Sequence, residues 1–314
     1  LEQARAKAKI MLGEIAQGDD PSKKKPIKEP KLSEFSKIFI KRHIQPHVKP
    51  STAKTYQSLI SSIILPALGK MRLNEISRTD IESLMARNNN RRTTANHGMV
   101  LLKLMFDKAQ LWEMTSSDRN PCSNIQKFKT KIKERFLSEK DIAHLIDVLN
   151  QFEHQKLAPQ NAINAIKLLV LTGCRKNEIV MLTWPEVQFD EGILRLLDSK
   201  TGGKDIILSK AAITILQEVP RSQSKYVFTG KNPMKPIQGL QKIWERIRKN
   251  ANLEDVRLHD LRHTFASIAV SSGVSLYEVG KLLGHTSIQS TQRYAHLERA
   301  SLRESLNKFS YKLK

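Results

Sequence analysis

Five residues in the C-terminal half of the chain carry side chains that together can break a phosphodiester: Arg175, His259, Arg262, His285 and Tyr294. They lie in the segments TGCRKNE (172–178), LHDLRH (258–263), LGH (283–285) and RYAH (293–296). A guanidinium is planar and permanently charged, so each arginine can hold two nonbridging phosphate oxygens at once. Imidazoles accept and donate protons near neutral pH. A tyrosine hydroxyl in such a cationic pocket can become a nucleophile. The set implies covalent cleavage of a phosphodiester that calls for no metal and no cofactor.

Rival assignments of the same residues are weaker. His259 and His263 stand four apart in HDLRH and imitate the HExxH zinc helix, with Asp260 for the glutamate and His285 or His296 as a third ligand. A guanidinium at Arg262, between two such ligands, is electrostatically awkward. His263 instead reads as a residue that packs inward and bonds backbone. His259 and Arg262, three apart, project from one helical face. Arg175 follows Thr172-Gly173 at an expected helix start, where backbone N–H groups favour an anion, and Glu178 is placed to pair with it.

The chain has five tyrosines. Tyr56 sits on an apolar helical face, Tyr226 in a YVF strand, and Tyr277 between Leu276 and Val279, so all three read as core. Tyr311 is near the end of the chain. Tyr294 alone lies among polar neighbours, Thr291 and Gln292. A free tyrosine titrates near pH 10, so this one needs the cationic site or a base to react at neutral pH.

The partner is legible in the charge. Among 314 residues, Lys and Arg number 53 against 31 Asp and Glu, a net charge of +22 with a pI of about 10.0. That excess steers the protein toward a polyanion, and nucleic acid fits better than an anionic membrane surface. No apolar run approaches the roughly 20 residues of a membrane span, and no signal peptide opens the chain. The first residue is Leu1, so a truncated or processed N-terminus is expected. Cys122 and Cys174 are the only cysteines, which fits a reducing cytosol. Cys174 reads as a small buried residue before the arginine turn.

The elements that must position these groups are mostly helical. Helical spacing is seen over residues 3–17, and GDDP stops it before a basic, proline-punctuated linker at 22–30. Residues 32–115 read as all-helical, with helices near 33–42, from Ser51, from Thr79 and over 94–113. Ten Lys or Arg against two Glu lie between residues 21 and 54. Lys41, Arg42 and Lys54, with Arg87, Arg91 and Arg92 around a run of asparagines at 88–90, suit phosphates and base edges. Asn120-Pro121 and a basic stretch to 135 form a linker. Ser138 with Asp141 then starts a second domain. There, helices near 138–150, 159–172, 210–218, 236–250, 258–272, 275–283 and 287–295 surround one β-hairpin (193–197 and 205–208) with KTGGK (200–204) at its tip. No Rossmann or P-loop glycine pattern accompanies them.

In these motifs and in their order the chain resembles the tyrosine recombinase (phage integrase) family, over roughly residues 30–300. The resemblance implies a mainly α fold with a small β-sheet. An all-α core-binding domain (29–122) and a mixed α/β catalytic domain (136–314), joined by a linker (123–135), would close as a C-shaped clamp around duplex DNA. Residues 1–28 resemble the tail of an arm-binding domain and its linker. The resemblance further makes Tyr294 the nucleophile of a 3′-phosphotyrosyl intermediate and His259 its general base. Lys200 becomes the acid for the leaving 5′ oxygen, with Lys204 as competitor; His285 donates to the phosphate, and Glu178 orients the site. Implied partners are double-stranded attachment sites, a homotetramer on synapsed DNA, and accessory DNA-bending and directionality proteins, all in the cytoplasm at the nucleoid. A type IB topoisomerase or a catalytically silent DNA-binding protein are the alternatives. An apolar stripe of Leu302, Leu306 and Phe309 over 299–310 is expected to dock on a neighbouring protomer.

Overall fold

The computed structural model describes residues 9, 12–13, 29–130, 135–197, 202–284, 287 and 289–297. The expected helix over 3–17 falls almost wholly outside them, as do Lys200, His285 and the stripe at 299–310. The chain forms two compact units, Leu1–Ile132 and Lys133–Lys314.

The first unit is helical among its described residues. Helix α1 (Leu32–Phe39) runs through a π-helical turn at Ile40–Ile44 into α2 (Gln45–His47); α3 (Pro50–Leu59) runs through a second at Ile60–Ile64 into α4 (Leu65–Leu68). Each wide turn ends just before a proline, Pro46 or Pro66. A proline has no N–H and its ring presses on the carbonyl four residues back, so the backbone widens to i→i−5 bonds such as Gln45 N–H to Ile40 O and Leu65 N–H to Ile60 O. Ser77 caps α5 (Arg78–Arg87), accepting from Asp80 N–H at 3.3 Å. The asparagine run is not an open loop: Asn89–Arg91 is a 3-10 turn leading into α6 (Arg92–Leu111). The core of this unit includes Phe35, Phe39, Ile64, Leu102 and Phe106, all nearly or fully buried.

The second unit opens where expected, with Ser138 and Asp141 capping α7 (Glu139–His154). Helix α8 (Gln160–Thr172) follows and ends at Gly173, whose φ of 61° is left-handed. The short α9 (Lys176–Val180) leads to an antiparallel sheet, β1 (Val187–Gln188), β2 (Ile193–Leu196) and β3 (Lys204–Ile207), in that order. Leu196 pairs with Lys204, so Lys204 opens β3 at the turn end of the hairpin. Then come α10 (Lys210–Glu218), α11 (Leu240–Asn250), α12 (Asp260–Ser271), α13 (Leu276–Leu283) and α14 (Gln289–Gln292). The apolar faces of α7, α8 and α11 meet around Leu149, Ile166 and Trp244. A smaller cluster of Ala266, Val270, Val279, Leu283 and Tyr294 joins α12, α13 and the segment after α14.

Two expectations change here. The expected helix over 287–295 is interrupted: α14 spans Gln289–Gln292, Tyr294 sits in a turn closed by its N–H to Thr291 O, and helical backbone resumes at 295–297. Tyr277 is not core: it is 66% exposed, with the Lys281 ammonium 4.7 Å from its ring centre. Its helical position shares a face with Lys281 one turn on, and the apolar face of α13 points Val279 and Leu283 inward instead.

Candidate active site

Arg262 is anchored by two helix ends. It is buried on α12, and its guanidinium donates to Gly173 O at 2.8 Å and to Leu283 O at 2.9 Å. Those carbonyls belong to the C-termini of α8 and α13, where backbone acceptors lack helical partners and the helix dipole is negative. Both ends depend on glycine. A Cβ on Gly173 would stand 2.7 Å from Phe265 and 2.8 Å from Leu283, and one on Gly284 (φ 63°) would collide with the Lys204 side chain. Burial and the neighbouring Arg175 lower the Arg262 pKa from its usual value, a sign of how closely the two cations stand.

Glu178 is the one carboxylate among these cations. It accepts from Arg175 Nη1 at 2.9 Å, from the Arg175 backbone N–H at 2.8 Å and from Lys204 Nζ at 2.9 Å. The helix start that was expected to hold an external anion is therefore occupied by Glu178 itself. Burial would raise the Glu178 pKa, but the hydrogen bonds from Arg175 and Lys204 outweigh it and hold the group ionised. Lys204 also donates to Leu283 O at 3.2 Å, and its side chain is 8% exposed. Its pKa is lowered despite the carboxylate, because burial costs the ammonium more than Glu178 returns. The hairpin lysine seated in the described site is thus Lys204, while Lys200 lies outside the described residues.

His259 caps α12 rather than lying within it. Burial and then Arg262 lower its pKa, with Arg175 adding to the shift, so it is neutral at pH 7. The start of α12 is fixed by Asp260, fully buried, which accepts from Nε and Nη2 of the Arg257 guanidinium. Thr264 Oγ1 donates to Asp260 O and accepts from Leu137 N–H.

His263 corrects the expectation that it bonds backbone. Its Nδ1 lies 2.6 Å from the Tyr294 hydroxyl, and the two rings stand 6.2 Å apart. One helical turn beyond His259, it is carried to the side of α12 that faces the polypeptide after α14. Arg293 Nη1 approaches its Nε2 at 3.5 Å, and the His259 ring meets it edge-on at 5.0 Å. Burial, His259 and Arg293 together lower its pKa to about 4. Tyr294 itself is 4% exposed, its ring held by the apolar cluster between α12 and α13.

Arg175, His259, Arg262 and Tyr294, drawn from four separate segments, are therefore one site; Arg262 senses the charge of both Arg175 and Tyr294. Among the described residues no group of three His, Cys, Asp or Glu side chains could hold a metal ion. Cys174 is buried beneath the arginine turn, its thiol pushed up to about 11 by burial. In the first unit Lys41, Arg42, Lys54, Arg87, Arg91 and Arg92 are all exposed. Arg91 and Arg92 line a cleft of about 480 Å³ with Asn89, Asn90 and Lys129.

A sequence model of the phage integrase family matches residues 135–301, more than half of the chain and all of this site. The chain belongs to the phage integrase family. The N-terminal SAM-like domain of phage integrases matches residues 31–86. Among integrase-family relatives, a tyrosine recombinase of Thermosipho africanus (strain TCF52B) is 28% identical over 270 residues, covering 81% of this chain and 91% of that protein. The integrase of Salmonella phage P22 is 26% identical over 220 residues, 65% of this chain and 54% of that protein. The Tn1549 transposon integrase in complex with transposon right end DNA shares the fold with a TM-score of 0.73 at 18% identity, covering 90% of this chain and 100% of that one. A lambda integrase tetramer bound to a Holliday junction does so with a TM-score of 0.70 at 18% identity, covering 93% and 86%.

Proposed function

We propose that this family member is a site-specific DNA recombinase that cleaves and rejoins strands through a 3′-phosphotyrosyl intermediate, integrating or excising a mobile element. The observation that carries this reading is the charge around Tyr294. Arg175 and Lys204 bond the carboxylate of Glu178, and Arg262 lies within electrostatic reach of Arg175, Glu178 and Tyr294, leaving an excess of positive charge beside a tyrosine hydroxyl. That excess fits a phosphodiester anion, and it strengthens as negative charge grows on the nonbridging oxygens in the transition state.

In the forward step the Tyr294 oxygen attacks phosphorus, the bond to the 5′ oxygen breaks, and a 5′ hydroxyl leaves. Arg175 and Arg262 hold the nonbridging oxygens, Glu178 aims Arg175, and His259 adds a neutral imidazole that can accept a proton or bond a phosphate oxygen. Lys200 supplies the leaving group's proton and His285 a further phosphate contact. A 5′ hydroxyl from a second duplex reverses the step, with the phosphodiester energy held in the tyrosyl bond. Residues 29–122 act as the core-binding part, through Lys41, Arg42, Lys54, Arg87, Arg91 and Arg92, and residues 136–314 as the catalytic part. A tetramer on two synapsed attachment sites, working at the nucleoid with DNA-bending and directionality proteins, completes the proposal. It is supported by the DNA-bound integrases that share the fold.

The test uses duplexes selected from a randomised pool by binding to the Tyr294→Phe protein, then nicked near the bound site. The wild-type chain should form a covalent adduct on them, and Tyr294→Phe should bind without forming one. An adduct from the phenylalanine variant would sink the assignment.

A further inference from the structure

The nucleophile's described partner is an imidazole that the motif reading had set aside. Nδ1 of His263 stands 2.6 Å from the Tyr294 hydroxyl, within the range of a strong O–H···N bond. It is the geometry required of a general base before substrate arrives. We propose that His263 takes the Tyr294 proton during strand cleavage and returns it during rejoining, so that His263 is a catalytic residue and His259 serves the phosphate. The inference rests on Tyr294 being the nucleophile of the proposed recombinase.

The step balances without a further reactant. As the tyrosine oxygen bonds to phosphorus, its proton passes to Nδ1 and the electron pair of the O–H bond stays on oxygen. The scissile bond's electrons leave with the 5′ oxygen, which takes the proton of the leaving-group acid. In rejoining, the attacking 5′ hydroxyl returns its proton to the conjugate base of that acid while the departing phenolate regains the one on His263.

The surroundings suit a transient acceptor. His263 faces His259, Asp260 and Arg257 at the start of α12, Arg293 from the segment after α14, and the Tyr294 hydroxyl. His259 and Arg293 oppose a positive imidazole, and they and burial keep it unprotonated and receptive in the free protein. An incoming phosphodiester adds a negative charge to this cationic site and raises the imidazole's affinity for a proton when the transfer occurs. The His259 ring stands perpendicular to His263, and after burial the Arg262 charge is the strongest influence on it. Motif reading missed this because the pair is separated by 31 residues and only the fold joins it.

Two measurements test the proposal. The first is single-turnover adduct formation on the selected, nicked duplexes by His263→Ala, between pH 5.5 and 9. The expected result is a loss of roughly 10²–10⁴-fold, as for a removed general base, with duplex affinity within about twofold of wild type. The residual rate should rise about tenfold per pH unit, since hydroxide must now remove the proton, and added imidazole should restore part of it. A near-wild-type rate overturns the proposal. So does a loss that neither follows pH nor responds to imidazole, which marks a structural role. Loss of wild-type adduct formation itself would instead fail the recombinase reading.

The second measurement needs no DNA and no histidine variant. In 15N-histidine spectra of the wild-type chain, His263 should stay neutral to below pH 5. Tyr294→Phe should move its Nδ1 resonance while leaving the other rings near their places. An unmoved Nδ1 overturns the contact and the proposal with it.

Discussion

Removing the charge of Glu178 tests how the cationic site is held together before DNA binds. The Glu178 and Lys204 side chains are 7% and 8% exposed and 2.9 Å apart, while Arg175 is 23% exposed. In Glu178→Gln the amide oxygen can still accept one of the three bonds, but the Lys204 ammonium is left buried beside Arg262 with no counter-charge. Breaking a buried pair in this way costs about 3–5 kcal/mol, against 0–1 for an exposed one. The retained bond places the loss near the lower figure, about 3 kcal/mol, or roughly 6–12 °C in the melting temperature of a unit of this size. The loss should also depend on pH. Lys204 already sits below its usual lysine value through burial, and without Glu178 it falls further. A lysine whose folded pKa is below its unfolded one binds fewer protons folded than unfolded across that window. Stability then rises with pH up to the unfolded value of about 10.4. The deficit of Glu178→Gln should therefore shrink between pH 7 and pH 10. Thermal and urea unfolding across that range measure it. A variant within about 1 °C of wild type, or a deficit that does not change with pH, would refute the argument.

Three further outcomes follow from the same structure. Gly173→Ala should destabilise the second unit by about 2–5 kcal/mol, combining the left-handed backbone cost with crowding against Phe265 and Leu283, as read by urea unfolding. It should also cut adduct formation by displacing the carbonyl that anchors Arg262. Replacing Arg91 and Arg92 together with alanine should weaken duplex binding across all sequences and flatten the salt dependence of log K by about 2, measured by fluorescence anisotropy from 50 to 300 mM salt. Lys200→Ala should fail on ordinary DNA yet cleave a 5′-bridging phosphorothiolate, whose sulfur leaves unprotonated, while Arg175→Ala should fail on both.

What the sequence showed and what it hid follow the range of the interactions involved. The Ser138–Asp141 cap and the hairpin are local, and their positions were legible in residue order. Arg175, His259, Arg262 and Tyr294 were legible because their types are chemically demanding and their motifs ordered. The Tyr294 environment was not, because a short polar segment gives no sign that its ring will enter a cluster with Val270 and Leu283. The seating of Lys204 under Glu178, 26 residues away, likewise depends on the sheet bringing β3 to α9. The two π-helical turns were hidden for another reason: helical periodicity survives one widened turn, and only Pro46 and Pro66 hinted at it.

The central claim is that Tyr294 becomes joined to DNA. Wild-type adduct formed on the selected, nicked duplexes can be digested with trypsin and nuclease and the nucleotide-bearing peptide sequenced by mass spectrometry. The account predicts a single modified peptide with the 3′-phosphonucleotide on Tyr294, absent from Tyr294→Phe. Modification of Tyr277, Tyr311 or any serine or histidine in its place would contradict it.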